Sequence, residues 1–266
     1  MKKSTLSLGS RVGYMCGGAA QTTIVMLINV VLTYFYTNVM GINIAKVAMI
    51  MLISRFFDGG SDIIAGIIID RTHSKYGKAR PWLLRMALPH LIGLIAMFTV
   101  PHTTETIQLI YIFIAYNFAN TFVNTFAGLA LSSLNSLMTR DPDERSQLNA
   151  LRQFGAPIME LAITALTIPA ANCLGGDQRA YLIVVGVISA IATLCYLLCF
   201  LLTRETNPED RGAAKENIPA GKAFSAVLRN KYWYMVLIAW VMATFYLTIS
   251  GANLNYYCQY ILNNVN

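Results

Sequence analysis

The sequence predicts an all-α membrane protein: a bundle of six transmembrane helices, a long loop and a seventh helix. Hydrophobic residues fill 56% of the 266 positions and charged residues only 12%, with a mean hydropathy of +0.52. Soluble domains usually carry about twice that share of charge. Seven apolar stretches follow one another, each exceeding the roughly 20 residues that cross a bilayer as a helix. The basic residues gather in alternate connections between these stretches, as the positive-inside rule requires of a multi-pass protein.

The first stretch, 12–38, follows Met1, Lys2 and Lys3. It is too long for the apolar core of a signal peptide, and no small-residue cleavage site closes it, so it reads as a retained helix. The second, 43–69, carries acids and an arginine in its middle. The third, fourth and fifth cover 82–101, 106–133 and 149–173, the sixth 179–203 and the seventh 232–262. Between the last two, residues 204–231 mix both signs of charge with Pro208, Gly212, Pro219 and Gly221. That composition suits a hinge between halves better than a folded domain. The expected organisation is a six-helix bundle at 1–203, a cytoplasmic loop at 204–231, and a seventh helix at 232–266 that opens an incomplete second half. Within the loop, Phe224 to Leu228 suggests a short amphipathic helix on the membrane surface.

Orientation follows from the charges. Lys2, Lys3, Arg11, Arg71, Lys75, Lys78, Arg80, Arg85, Arg140, Arg145 and Arg152 fall on one side with all the basic residues of the long loop, leaving Lys46 and Arg179 on the other. The N-terminus is therefore expected in the cytoplasm of a cell whose plasma or inner membrane holds the chain. The net charge of +7 is explained by this placement, and no nucleic-acid partner is implied. The five cysteines show neither disulfide nor zinc spacing, and most of them read as small packing residues. No nucleophile–base pair, metal cluster or phosphate loop points to an enzyme, and no cofactor is implied.

Polar residues inside the apolar stretches carry the functional signal. Arg55, Asp58 and Asp62 fall on one stripe of the second helix, with Gly59, Gly60 and Ser61 between the acids. Intramembrane charge is costly, so the group needs mutual pairing, a water-filled cavity or a bound ion. Two carboxylates one turn apart suit a small hard cation such as Na⁺, or a shared proton, with Arg55 neutralising the empty site. A static ion pair that fixes helix packing is the plainer reading. The fourth helix carries Asn117, Asn120, Thr121 and Asn124, and the first carries Gln21, Thr22, Asn29, Thr33 and Tyr36. Such residues either bond helix to helix or face a hydroxyl-rich ligand. Glu160, after Pro157 in the fifth helix, could relay protons, pair with Arg152 or Arg55, or sit near an interface. Gly17 and Gly18 read as close-packing positions. Tyr34, Phe35, Tyr36, Trp82 and Tyr181 lie near span ends and read as interface aromatics.

At the mouth of the second and third helices, Asp70 and Arg71 precede Arg80 across a short loop, and Asp70 can pair with Arg80 or meet a helix end to form a latch. The run Gly66 to Arg80 resembles the loop motif of the major facilitator superfamily. More narrowly, Asp58-Gly-Gly-Ser-Asp62 and Asp70-Arg-Thr-His-Ser-Lys-Tyr-Gly-Lys-Ala-Arg-Pro-Trp82 resemble the glycoside–pentoside–hexuronide:cation symporters. Tyr36-Thr-Asn-Val-Met-Gly41 and Thr139-Arg-Asp-Pro-Asp-Glu-Arg145 add to the match. The resemblance implies the N-terminal six-helix half of a major facilitator fold plus one further helix, the chain looking truncated after it. It implies that Asp58 and Asp62 bind the coupling cation. Residues of helices one, four and five would contact the sugar, for which Gln21, Thr22, Asn29, Asn120, Asn124 and Arg152 are the candidates. Arg55, Asp70, Arg71, Arg80 and Arg145 would serve as charge partners or gates. The sequence departs from the family where its melibiose permease places sugar-binding acids, here near Gln21 or Thr22 and near Gly128. The expected function is symport of Na⁺ or H⁺ with a glycoside, pentoside or hexuronide. The alternative is a non-transporting remnant, or a half that needs a separately made C-terminal half.

Overall fold

In the computed structural model the described residues are 6–72, 74–205 and 229–260. Among them the chain forms seven long helices: α1 Leu8–Val39, α2 Ile44–Asp70, α3 Arg80–Phe98, α4 Glu105–Met138, α5 Pro142–Cys173, α6 Gln178–Leu202 and α7 Lys231–Tyr260. The chain divides into two units, Met1–Gly212 with α1 to α6 and Ala213–Asn266 with α7. Most of the expected hinge, including Phe224 to Leu228, lies outside the described residues.

Side chains of the preceding turns start the helices. Ser7 Oγ accepts from the Ser10 amide at α1, and Asn43 Oδ1 from the Ala45 amide at α2. Asp141 accepts from the Asp143 amide at α5, and Asp177 from the Ala180 amide at α6. Each satisfies an amide that the helix leaves without a partner. At α5 this cap, with Pro142 as the first helical residue and Asp143 and Glu144 in the first turn, starts the helix seven residues before the expected apolar stretch. Capping and helix-dipole chemistry thus extend a helix beyond what hydropathy alone marks.

Among the described residues five helices are long and apolar enough to cross a membrane: α1, α3, α4, α5 and α6. The 27-residue α2 carries Lys46, Arg55, Asp58, Asp62 and Asp70, and this charge distinguishes it from the five.

In the first unit α1 packs on α5 and α6, α3 on α4 and α6, and α2 on α4. Glycine sets the approach of α1. A Cβ on Gly17 would stand 2.8 Å from Cys199 Sγ, and one on Gly18 would stand 2.6 Å from Arg152 Cγ. The expected close packing at these positions is therefore present. One core cluster near the α1–α2 turn gathers Ile24, Leu27, Phe35, Tyr36, Phe98 and Tyr181, and a second gathers Tyr14, Leu83, Leu131, Leu134, Leu148 and Tyr196. The expected interface role of Phe35, Tyr36 and Tyr181 is corrected here. All three are fully buried, and Tyr36 donates its hydroxyl to the Met97 carbonyl at 2.8 Å. A carbonyl on a neighbouring helix supplies the polar partner that water at an interface would have supplied. Trp82 stacks on Phe126 and donates its indole N–H to Thr72 Oγ1, so it fastens the α2–α3 turn.

Candidate functional site

Helical periodicity decides which polar residues of α2 meet α4. At about 100° per residue, positions 54, 58, 61 and 65 lie within about 40° of one line, while 55 and 62 lie about 80–100° away. Ser54 and Ala65 are buried, Asp58 is half-buried, and Arg55 and Asp62 are exposed. The two acids are one turn apart but face different surroundings.

Asp58 is held from α4. Asn120 Nδ2 donates to both carboxylate oxygens, at 3.1 and 3.3 Å, and Thr121 Oγ1 donates to Oδ1 at 2.6 Å. Behind them Asn117 donates to Ser54 Oγ and to the Phe113 carbonyl, each at 2.8 Å, and its own Oδ1 stands 3.0 Å from Thr121 Oγ1. Asn124 Nδ2 reaches Asn120 Oδ1 at 3.4 Å, and Asn124 Oδ1 is a buried acceptor without a donor among the described residues. The stretch Asn117–Asn124 is wound as a π-helix, with i→i+5 hydrogen bonds. Such wide turns inside α-helices recur at functional sites. Charge-assisted hydrogen bonds offset the burial of the Asp58 carboxylate, which is why the anion can sit about 18 Å up α2 from Asp70.

This arrangement changes the expected role of Arg55. Among the described residues it forms no ion pair with Asp58 or Asp62, because its position on the helix points it away from the α4 contact. No neighbouring backbone among the described residues approaches Gly59 or Gly60. Both are exposed, and a Cβ at either would meet nothing within 4 Å. Asp62, Gly59, Gly60 and Arg55 thus share the open side of α2.

The second group of predicted residues converges on α1 and α5. Arg152 Nη2 donates to Gln21 Oε1 at 2.6 Å. Gly18 leaves room for the arginine stem, and Gly128 for the Gln21 amide, whose nitrogen a Cβ at 128 would overlap. The departures from the family pattern at Gln21 and Gly128 therefore meet in space. Thr22 turns its hydroxyl to the Gly18 carbonyl of its own helix, and Asn29 is exposed one π-wound segment further on. Neither joins the Gln21–Arg152 pair. Glu160 is exposed, and neither expected pairing, with Arg152 or with Arg55, is present among the described residues.

At the α2–α3 turn the expected latch is replaced. Asp70 and Arg71 are exposed at the end of α2, and Asp70 makes no ion pair among the described residues. Arg80 donates to the Phe200 carbonyl at 2.6 Å and lies 4.8 Å from the centre of the Phe200 ring. The carboxylate that secures this turn is Glu205, which sequence reasoning missed. Buried to 3% exposure, it accepts from the Lys78 amide at 2.9 Å and from the Ala79 and Arg80 amides at 3.0 Å each. It caps α3 from just beyond α6, and the helix dipole favours its charge there. Gly77, at φ +106°, gives the carboxylate its space. No local signal announces a cap donated from 125 residues away. Arg145 closes the α4–α5 corner, donating from Nε to the Thr139 carbonyl at 2.9 Å and from Nη2 to the Ser136 carbonyl at 3.4 Å. Thr139 in turn donates to buried Glu144 at 2.6 Å.

A cavity of about 650 Å³ lies at the opposite end of the bundle, lined by Asn38, Thr99, His102, Gly176, Asp177 and Arg179 among others. It includes none of the predicted site residues.

Residues 13–266 match the MFS/sugar transport protein family. The chain is 28% identical over 266 residues to the inner membrane symporter YicJ of Escherichia coli, covering 98% of this chain and 56% of that protein. It is 26% identical over 239 residues to the isoprimeverose transporter of Lactiplantibacillus pentosus, covering 88% and 49%. It is 25% identical over 264 residues to an Escherichia coli glucuronide carrier protein homolog, covering 97% and 56%. The chain spans about half the length of these curated relatives. It is a multi-pass membrane protein, and it belongs to the MFS/sugar transport protein family.

Proposed function

We propose that this chain carries the coupling half of a symporter that moves a glycoside, pentoside or hexuronide with Na⁺ or H⁺. The observation that carries the reading is the Asp58 carboxylate, held at mid-depth by Asn120 and Thr121 beside exposed Asp62. Carboxylate and amide oxygens are ligands a hard monovalent cation takes, and the buried Asn124 Oδ1 is an acceptor still to be used. Gln21 and Arg152 stand at comparable depth, about 20 Å along α1 and about 15 Å along α5, and supply hydrogen-bonding groups for a solute. Names of relatives that refer to isoprimeverose and to glucuronide support a sugar or glycoside as that solute. Residues 1–203 would form the bundle, 204–231 the connection and 232–266 the first helix of a complementary half, with the N-terminus in the cytoplasm.

Rocking of two bundles about such a midplane site would alternate access, with cation at Asp58 and Asp62 favouring solute beside it. The test uses the gene's full product in cells supplied with a transportable glycoside. Asp58→Cys and Asp62→Cys are expected to abolish cation-driven accumulation while the protein remains in the membrane. Full accumulation by both variants would sink the assignment.

A further inference from the structure

We propose that the Gln21–Arg152 pair selects an acidic solute: a polyol that carries a carboxylate or a similar single-charged acidic group. The inference rests on the symporter reading above and narrows its substrate class, with Gln21 as the residue that determines specificity.

The argument is one of charge. Arg152 sits about ten residues into α5, within a helix long and apolar enough to cross the membrane. The charge of a guanidinium there is tolerated only with a counter-charge or water. The structure gives it a neutral partner, the Gln21 carbonyl oxygen at 2.6 Å. Among the described residues no carboxylate pairs with Arg152. Asp58 and Asp62 belong to α2, with Asp58 committed to α4, and Glu160 is exposed on α5. Gly18 and Gly128 clear the space that the two side chains occupy, so the pair is built into the packing of α1, α4 and α5. Tyr14 lies beside Arg152 with its hydroxyl buried. The guanidinium has five donors in a planar fork, and one Nη2 bond to Gln21 leaves others to meet a carboxylate in two-point fashion.

A neutral sugar bound there would leave the positive charge without a counter-charge. An acid would neutralise it. A site that carried a glutamate in place of Gln21 would already hold its counter-charge and would repel an acidic solute. The amide keeps the geometry of the acid and omits its charge.

The experiment compares the gene's full product and its Gln21→Glu variant in membrane vesicles under an imposed Na⁺ or H⁺ gradient. The probes are a ring-matched pair, methyl glucuronide and methyl glucoside, each tested for uptake and for competition against the other. In the unaltered protein the acid is expected to compete at least about tenfold better than the neutral sugar, equivalent to about 1.4 kcal/mol. Gln21→Glu is expected to lower that acid-to-neutral preference by about tenfold or more, which a merely structural pin between α1 and α5 would not do. Uptake of the neutral sugar with equal or better competition than the acid would overturn the proposal and leave the symporter reading standing. If neither sugar enters under either gradient, both readings fall. An acid preference that survives Gln21→Glu unchanged would overturn the role given to Gln21.

Discussion

Asp58 differs from Asp62, one turn away, because only Asp58 faces α4. Two donors already satisfy its carboxylate, and a cation must compete with both. A hydrogen bond to a charged group contributes about 1.5–3 kcal/mol. Removing the Thr121 donor therefore raises the free energy of the empty site more than that of the filled one. Thr121→Val is expected to lower the half-saturating cation concentration by about tenfold, measured as cation-dependent solute binding. A rise instead would mean that the Thr121 oxygen is itself a cation ligand. The cost of losing Glu205 is structural. Glu205→Ala leaves three amides at the start of α3 without their carboxylate, a loss of about 2–3 kcal/mol. That corresponds to a fall of roughly 5–10 °C in Tm, and Glu205→Gln, which keeps an acceptor, is expected to lose less. Thermal unfolding in detergent measures both.

At the scale of elements, glycine positions separate the packed side of the bundle from its open side. Gly18→Ala would drive a methyl group to within 2.6 Å of Arg152 Cγ, whereas Gly59→Ala meets nothing within 4 Å. The first is expected to destabilise the first unit. The second is expected to leave it at least as stable, since alanine favours a helix by about 1 kcal/mol over glycine. Comparing the thermal stabilities of the two variants checks the difference. The helices themselves were legible from hydropathy, because burial in lipid needs uninterrupted apolar runs. The acids of α2 and the asparagines of α4 were legible because intramembrane polarity is costly. What escaped was set by rotation and by distance along the chain. Helical rotation set Arg55 about 60° round α2 from Asp58, π winding shaped the α4 surface, and the Asp70–Arg80 latch gave way to Glu205 reaching back from beyond α6. Tyr36 and Tyr181 resembled interface aromatics only until a neighbouring helix was seen to cover them.

On the scale of the whole molecule, the two ends of the bundle carry opposite chemistry. By the sequence, sixteen of the twenty basic residues fall toward the side expected to be cytoplasmic, Arg152 being counted with the mid-depth site, and toward the other side Lys46 is engaged by Glu105 at 2.6 Å. Cys173, exposed at the far end of α5, tests that orientation. A membrane-impermeant thiol reagent is expected to label it in intact cells and to lose that signal in Cys173→Ser; labelling only after permeabilisation would invert the topology. The central claim is that cation at Asp58 and solute beside it stabilise each other. Linkage requires the two affinities to shift by one common factor. The most direct measurement is equilibrium binding of solute to the purified full product with and without saturating cation, and of cation with and without solute, repeated in Asp58→Asn. The account predicts equal reciprocal shifts in the unaltered protein and none in Asp58→Asn. Solute affinity that ignores both Na⁺ and H⁺, or a shift that persists without the Asp58 carboxylate, would contradict it.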